Sequence, residues 1–439
     1  MYISTTREAD AAAVVPRRGG VLRAVAANVV ALGAVSLVTD VSSEMVTAVL
    51  PLYLIVALGL SPLQFGLLDG LYAGATVLVR LVGGHVADRW QRRKLVAGFG
   101  YGLSAICKLG LLAAGRSAVG IGAVLAVDRV GKGVRTPPRD ALITLSSAPG
   151  DLGRSFGVHR AMDTAGALMG PLVAFAVLWA APGAYDAVFV VSFCVALFGV
   201  LLLVAFVRDR PVAPARTPVR DRRPEGAARQ ASVRAALGLL GGRAFRRLCV
   251  GALLLGLVTV SDSFIYLLLQ RRLDIGLTYF PLLPVGTAGS FLLLAVPLGR
   301  LADRVGARAV FLGGHVALLG AYLLLLLAPA SGGFPLLIGV LALHGAFYAA
   351  TDGVLMAAAG PMLPGALRTS GLALLQSAQA LARLASSVLV GAVWTVWGMR
   401  PTIATAALAL GVALLVAWPL LRTPFHTGAP SNEEEVAGR

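Results

Sequence analysis

Charge is scarce in this sequence: only 13% of its 439 residues are Asp, Glu, Lys or Arg, against 57% that are hydrophobic. A balance that apolar excludes an ordinary soluble domain and places the chain in lipid. Cysteine is scarcer still. The three thiols, Cys107, Cys194 and Cys249, stand far apart inside or at the edge of apolar runs, which excludes a disulfide framework and a thiolate metal site. Five histidines without metal-type spacing, no phosphate-cradling Gly-rich loop and no nucleophile elbow leave ATP-driven pumping and hydrolysis without their chemistry. The expectation is therefore a protein that is not an enzyme and needs no cofactor or metal.

What the sequence has in abundance is long apolar runs. Segments of about 20 residues, enough to cross roughly 30 Å of hydrocarbon, recur from Ala26 almost to the C-terminus and number about twelve. The predicted spans are Ala26 to Leu58, Gln64 to Val86, Leu95 to Ala114, Ala118 to Thr136, Phe156 to Ala180 and Tyr185 to Val207. A second set follows: Leu248 to Gln270, Tyr279 to Gly299, Ala307 to Ala328, Phe334 to Gly360, Gly371 to Trp397 and Pro401 to Leu421. The first is too long, and too poor in a cleavage site, for a secretory signal, so it is expected to remain as a helix. Between the sets, residues 208–247 turn rich in Arg, Pro and Ala and cannot bury a core, which predicts a cytosolic linker. The expected organisation is a tail (1–25), a six-helix bundle (26–207), the linker (208–247), a second six-helix bundle (248–421) and an acidic tail (422–439).

The formal net charge of +17 invites a nucleic-acid reading until the arginines are located. Arg17, Arg18 and Arg23 precede the first span; Arg89, Arg92, Arg93 and Lys94 follow the second; Arg135, Arg139 and Arg154 follow the fourth; Arg304 and Arg308 follow the eighth. The alternate links, around Ser61, Gly183 and Gly332, are almost free of basic residues, which predicts cytoplasmic termini by the positive-inside rule. Basicity here reports topology, and no nucleic-acid partner is expected. Arg116, Arg271, Arg272 and Arg400 run against the rule.

The two halves repeat a polar link. GHVADRWQRR runs from Gly84 to Arg93 and GRLADRVGAR from Gly299 to Arg308, so that Asp303 follows Asp88 about half a chain later, each between the second and third spans of its half. A duplicated six-helix unit is the mark of transporters that rock one half against the other about a central site. In the fourth span, LAVDRVGKGVR sets Leu125, Arg129 and Gly133 at regular spacing. A cation such as Arg129 at mid-membrane costs about 3 kcal/mol or more unless it faces the bundle interior. The fifth span opens FGVHRAMDTAGALMGP, with Gly157, Gly166, Gly170 and Pro171 on a small-residue pattern that permits close helix approach.

On these residues the chain resembles the major facilitator superfamily, whose signature between spans two and three is the loop centred here on Gly84, Asp88, Arg89, Arg92 and Arg93 and repeated at Gly299, Asp303, Arg304, Gly306 and Arg308. Gln91 stands where the family prefers Gly. The resemblance implies an all-α polytopic membrane protein with twelve transmembrane helices in two pseudo-symmetric six-helix bundles. It implies gating loops whose Asp pairs with an Arg and a helix dipole. The fourth-span pattern is similar to the family's second motif, with Arg135 in place of a usual Gly. The fifth-span pattern is similar to its antiporter motif, with Ala174 and Phe175 replacing the closing glycines. TDVSSEMVTAVLPLYL, DRVGKGVRTPPRDAL and FGVHRAMDT resemble a branch of bacterial and archaeal facilitator proteins, mostly without assigned substrates.

In such a fold, spans one, four, seven and ten are expected to line the cavity. These carry Asp40 and Glu44, Asp128 and Arg129, Asp262, and His344 and Asp352. Asp40 and Glu44, like His159 and Asp163, are four apart and share a helix face. Neighbouring carboxylates in a low-dielectric cavity disfavour each other's ionisation, which suits a proton carrier. The candidate coupling and cavity residues are thus Asp40, Glu44, Asp128, Arg129, Asp163, Asp262 and Asp352; pairing with Arg80, Arg129 or Arg160 for assembly alone is the competing role. Lys108 and Arg383 need partners the sequence does not name. The expected function is proton-coupled export of a small organic molecule by alternating access, drug-efflux-like. A proton-coupled uptake symporter for a metabolite, or a transporter-like sensor that moves nothing, are the alternatives. The expected partners are a small-molecule substrate, protons and the bilayer, with the protein a monomer and multi-pass in the plasma membrane.

Overall fold

The computed structural model describes residues 25–72, 74, 93–147, 151–209, 238–329, 333–364 and 367–422. Among these residues the chain is all helix: α1 (Ala27–Leu52), α2 (62–72), α3 (Arg93–Ala114), α4 (Ala118–Ser146), α5 (Leu152–Ala180), α6 (Tyr185–Phe206), α7a (Arg243–Leu257), α7b (Asp262–Leu273), α8 (Leu282–Val305), α9 (Ala307–Leu327), α10 (Gly333–Ala359), α11 (Arg368–Trp397) and α12 (Met399–Leu420). Ten candidate membrane spans, long and apolar enough to cross a bilayer, occur among them. The two further spans are α2, of which the described part is short, and α4, whose Asp128, Arg129, Lys132, Arg135, Arg139 and Asp140 load it with charge.

Local chemistry sets several boundaries. At the start of α2, Ser61 and Gln64 exchange side-chain bonds: Gln64 N–H donates to Ser61 Oγ at 3.2 Å and Ser61 N–H to Gln64 Oε1 at 3.0 Å, a reciprocal cap. Ser117 caps α4 by accepting from Gly120 N–H at 3.1 Å. α4 runs beyond the predicted Thr136 to Ser146, through Pro137 and Pro138. Outward faces carry exposed Leu201, Phe206, Leu293 and Leu415, as a lipid-facing surface requires. Cys107 and Cys249 are buried and Cys194 is exposed, all as free thiols.

The packing is pseudo-symmetric. In the first half α1 packs on α5 and α6, and α3 on α4 and α6; six helices later α7a packs on α11 and α12, and α9 on α10 and α12. The α3–α4 crossing is tight enough that a Cβ on Gly100 would meet Gly131 O at 2.6 Å. That contact leaves room alongside for the Arg135 side chain, whose guanidinium lies 4.4 Å over the Tyr101 ring.

The seventh span differs from the sequence expectation of one helix from Leu248 to Gln270: it breaks between Leu257 and Asp262. Side chains satisfy the opened backbone. Val260 N–H donates to Tyr322 Oη at 2.8 Å and Ser386 Oγ–H donates to the Thr259 carbonyl at 2.7 Å. The β-branched run Val258–Thr259–Val260 followed by Ser261 favours leaving the helix here.

The halves meet at the end that carries the α1–α2, α5–α6, α7b–α8 and α11–α12 links. Leu63 N–H donates to Thr395 Oγ1 at 2.9 Å, Phe65 stacks edge-on against Phe264 at 4.9 Å, and Tyr279 packs on Phe175 and Trp179 at 5.8 and 5.9 Å. Along the α2–α11 seam glycine is required: a Cβ on Gly66 would stand 2.3 Å from Ser387 O, and one on Gly391 2.4 Å from Pro62 O. Gly391→Val is therefore expected to part the seam while each half stays folded. Measured with a membrane-impermeant maleimide on a Ser387→Cys background, buried in the intact seam, the substitution should raise labelling several-fold; unchanged labelling would show that the seam does not close this end.

Candidate functional site

Below the seam lies a chamber of about 640 Å³ lined from both halves. α1 contributes Glu44 and Pro51, α2 Asp69 and Tyr72, the break in span seven Thr259 to Ser263, α10 Tyr348 and Asp352, and α11 the stretch from Ala373 to Ser387 including Arg383. A second cavity of about 350 Å³ continues from it between α5 and α8 and is more apolar, walled by Leu168, Val285, Phe291 and Leu292. Both cavities share Glu44, Asp262 and Asp352.

The seven coupling and cavity candidates therefore divide. Glu44, Asp262 and Asp352 face the chamber, whereas Asp40, Asp128, Arg129 and Asp163 lie outside its lining, in a polar network within the first half. Span four does not line the chamber as expected; span eleven does. The reason is that the α4 charges are taken up by side chains of α1, α2, α3 and α5 within the first half.

Three linked clusters make up that network. Asp128, buried, accepts from Lys108 Nζ at 2.7 Å, from Ser104 Oγ at 2.6 Å and from Arg129 at 2.6 Å. The Arg129 guanidinium also lies 3.9 Å over the Tyr72 ring, a cation–π contact. Lys108 thus has the partner the sequence left unnamed. About two turns on, Arg135 pairs with Asp40 at 3.2 Å, so the position where the family pattern has Gly supplies a salt bridge between α4 and α1. Next, Arg139 bonds Asp140 at 3.0 Å and reaches Asp163 at 3.9 Å, while His159 sits 4.0 Å from Asp163 and 3.0 Å from Ser36 Oγ. His159 and Asp163 do share one face of α5.

Glu44 stands apart. Among the described residues no hydrogen bond or salt bridge engages its carboxylate, and the cations acting on it through space are Lys132, then Arg129 and Lys108. Its place is fixed by α5: a Cβ on Gly170 would meet Glu44 Cβ at 2.6 Å, and one on Gly166 would meet Leu37 O at 2.3 Å. Two glycines of the fifth-span pattern thus let α1 lie against α5, and Pro171 beside them lines the chamber. Around Gly157 the space is open.

In the second half, Asp262 occupies the first turn of α7b, where the helix dipole favours a carboxylate. Tyr348 Oη–H donates to it at 2.5 Å and His344 Nε2 lies 3.3 Å away, with the His344 and Tyr348 rings 5.3 Å apart. Asp352, one turn beyond Tyr348, is exposed to the chamber without an ion pair among the described residues.

Two charged lining residues were absent from the sequence candidates. Asp69 accepts from Ser387 Oγ–H at 2.8 Å across the seam between the halves, and Arg383 enters the chamber from α11. A carboxylate inside the second apolar run was the available signal for Asp69.

Of the gating loops, Gly84, Asp88, Arg89 and Arg92 lie outside the described residues, as does Arg80; Arg93 begins α3. In the second copy Gly299, Asp303 and Arg304 fall in the last turns of α8, and Gly306 closes it at φ +94, a conformation that favours glycine. Asp303 is exposed and makes no salt bridge among the described residues. Arg308 donates to the Trp418 carbonyl at 2.5 Å and stacks 4.5 Å over its ring, tying α9 to α12. Two of the arginines that run against the topology rule are engaged locally: Arg272 donates to the Ala328 carbonyl, and Arg271 lies 5.3 Å over Trp394. Among the described residues no group of three or more His, Cys, Asp or Glu side chains is placed to hold a metal ion.

Comparison with known proteins places this geometry. A family model described as Major Facilitator Superfamily matches residues 32–295 and 263–438. An uncharacterised MFS-type transporter of Methanocaldococcus jannaschii is 35% identical over 191 residues, covering 43% of this chain and 46% of that protein. An uncharacterised protein of Mycobacterium tuberculosis is 35% identical over 157 residues, 36% of this chain and 38% of that one. The chain spans less than half the length of these curated relatives. Among solved structures, the nucleoside transporter NupG superposes with a TM-score of 0.75 at 14% identity, over 90% of this chain and 99% of that one. A bacterial homologue of the human lysosomal transporter Spinster, inward-facing and unoccupied, gives 0.71 at 16% identity, over 92% and 98%. At such identities the likeness is one of fold.

Proposed function

The chain belongs to the Major Facilitator Superfamily and is a multi-pass membrane transporter of that type, and from that premise we propose that it exports a small organic molecule in exchange for protons by alternating access. The observation that carries the reading is Glu44, a carboxylate in the chamber with no partner among the described residues. An ionised carboxylate in a low-dielectric space is costly until something neutralises it. A proton and the cargo do so in turn, which makes their occupancy exclusive and their movement opposed. Asp40, on the same face, is held by Arg135, and Asp128 by two cations, so neither is free to take that part. The close fit of Gly170 against Glu44 supports export, because the antiporter-type glycine pattern then positions the coupling carboxylate itself.

On the same reading the bundles 26–207 and 248–421 rock about the chamber, with 208–247 as the cytosolic linker between them. The protein lies in the plasma membrane with both termini in the cytoplasm, which puts the seam on the outer face and makes this conformation inward-facing. Asp303, without a salt bridge among the described residues, fits such a state if the family resemblance holds and its loop latches the halves only when they face outward.

The test begins with thermal stabilisation of the purified protein by a metabolite and antibiotic library at two pH values. Cargo so identified is followed in everted vesicles under an imposed proton gradient. Gradient-driven uptake into everted vesicles with counter-movement of protons is expected; transport indifferent to the gradient would refute coupling, and co-movement of protons would reverse the direction.

A further inference from the structure

We infer that the chamber takes a solute carrying both a carboxylate and an ammonium group, and that Arg383 seats the carboxylate. The inference rests on the chamber being the transport site and names the chemistry of its cargo. Arg383 lies on α11, on the wall contributed by the second half, with its side chain exposed to the chamber. Among the described residues no hydrogen bond or salt bridge engages it, and its charge reaches Asp262 only through space. Lys108, Arg129, Arg135 and Arg139 differ, each having a carboxylate within 4.0 Å.

A guanidinium kept at membrane depth is costly, and one that braces no other side chain gives the fold nothing in return. Its planar fork of N–H donors matches a carboxylate in two parallel bonds. Gln379, one helical turn before it, and Ser377 line the same wall and add polar contacts for the remainder of a polar head.

The other walls have the opposite sign. Glu44 and Asp352 enter the chamber without an ion pair among the described residues, and Asp262 stands at the junction with the apolar crevice. A solute bearing only negative charge meets these carboxylates and is repelled. One bearing only positive charge leaves Arg383 unmatched and is repelled by it. A solute with both groups answers both walls, and the crevice along Leu168, Val285 and Phe291 receives its apolar body. The volume of about 640 Å³ suits a small organic molecule.

The experiment measures equilibrium binding and thermal stabilisation of the full-length purified protein with four matched probes: para-aminomethylbenzoate, para-toluate, para-methylbenzylamine and para-methylbenzyl alcohol. The zwitterion is expected to bind best. Arg383→Gln should weaken its binding roughly tenfold or more, the scale of a charge-assisted contact, while leaving the amine bound as well as before or better. Arg383→Lys should recover part of the loss. The melting midpoint without probe should stay near that of the wild type, because no hydrogen bond or salt bridge among the described residues engages this side chain. Equal affinity of the zwitterion for wild type and Arg383→Gln, or the absence of any carboxylate-dependent stabilisation across the four probes, would overturn the inference. No gradient enters the readout, so a failure of proton coupling leaves this result standing and the reverse holds equally.

Discussion

Glu44→Gln is expected to abolish gradient-driven transport while leaving cargo exchange intact. Glutamine keeps the shape and polarity of the side chain and removes only its proton affinity. Because no cation or donor among the described residues bonds the Glu44 carboxylate, the substitution orphans no partner, and the protein should fold and melt as the wild type does. Transport driven by a proton gradient in proteoliposomes should fall by about two orders of magnitude, the scale on which loss of a proton-transferring side chain is felt. Counterflow of unlabelled against labelled cargo needs only that the empty or loaded chamber switch sides, so it should persist.

The separation of the two assays is what gives the experiment its force. The cations Lys108, Arg129, Lys132, Arg135 and Arg139 face the carboxylates Asp40, Glu44, Asp128, Asp140 and Asp163 within the first half, and Arg160 adds its charge beside Asp163. Protonating Glu44 leaves an excess positive charge beside the chamber, which expels a cationic group. The Glu44→Gln protein would hold that state permanently, binding cargo more weakly and without regard to the proton gradient, so exchange persists at saturating cargo while the gradient no longer drives net transport. Full gradient-driven transport by Glu44→Gln would remove the residue from the mechanism and pass the role to Asp352, the other chamber carboxylate with neither an ion pair nor a side-chain hydrogen bond among the described residues.

How legible this was in the sequence depended on which property the sequence encodes locally. Span number and the duplicated halves follow from apolar run length and from the repeat of Asp88 at Asp303, both of which a linear string carries. The break at Val258–Ser261 does not appear in hydropathy, because Val and Thr are as apolar in a broken helix as in a whole one; its cue was the β-branched run before Ser261. Pairings were the least legible. Lys108 meets Asp128 because α3 and α4 cross at Gly100 and Gly131, a fact about helix rotation that no spacing supplies. Arg135 looked like a defect in a family pattern, yet it holds Asp40. Asp69 and Arg383 are visible as charges in apolar runs, but hydropathy does not say that the chamber draws on the second and eleventh spans as well as the first, seventh and tenth.

The second large effect concerns Asp128, and it falls on stability. This carboxylate is shared by two buried cations, Lys108 and Arg129, each with less than a tenth of its side chain exposed. Asp128→Asn leaves both uncompensated in the interior, which should cost about 3–5 kcal/mol, as breaking buried ion pairs does. Lys108→Met, by contrast, leaves Asp128 and Arg129 as a neutral pair still bonded by Ser104, and should stay within about 1 kcal/mol of the wild type. The double variant Lys108→Met with Asp128→Asn strands only Arg129, whose cation–π contact with Tyr72 survives, so it should be more stable than Asp128→Asn alone. That rescue, a second substitution restoring what the first removed, distinguishes a charge effect from a packing defect. The measurement is the midpoint of thermal unfolding in detergent for the wild type and the three variants. An Asp128→Asn protein melting with the wild type would mean the two cations find compensation elsewhere, and Asp128 would then stand with Glu44 among the carboxylates free to carry protons rather than among those that hold α3 to α4.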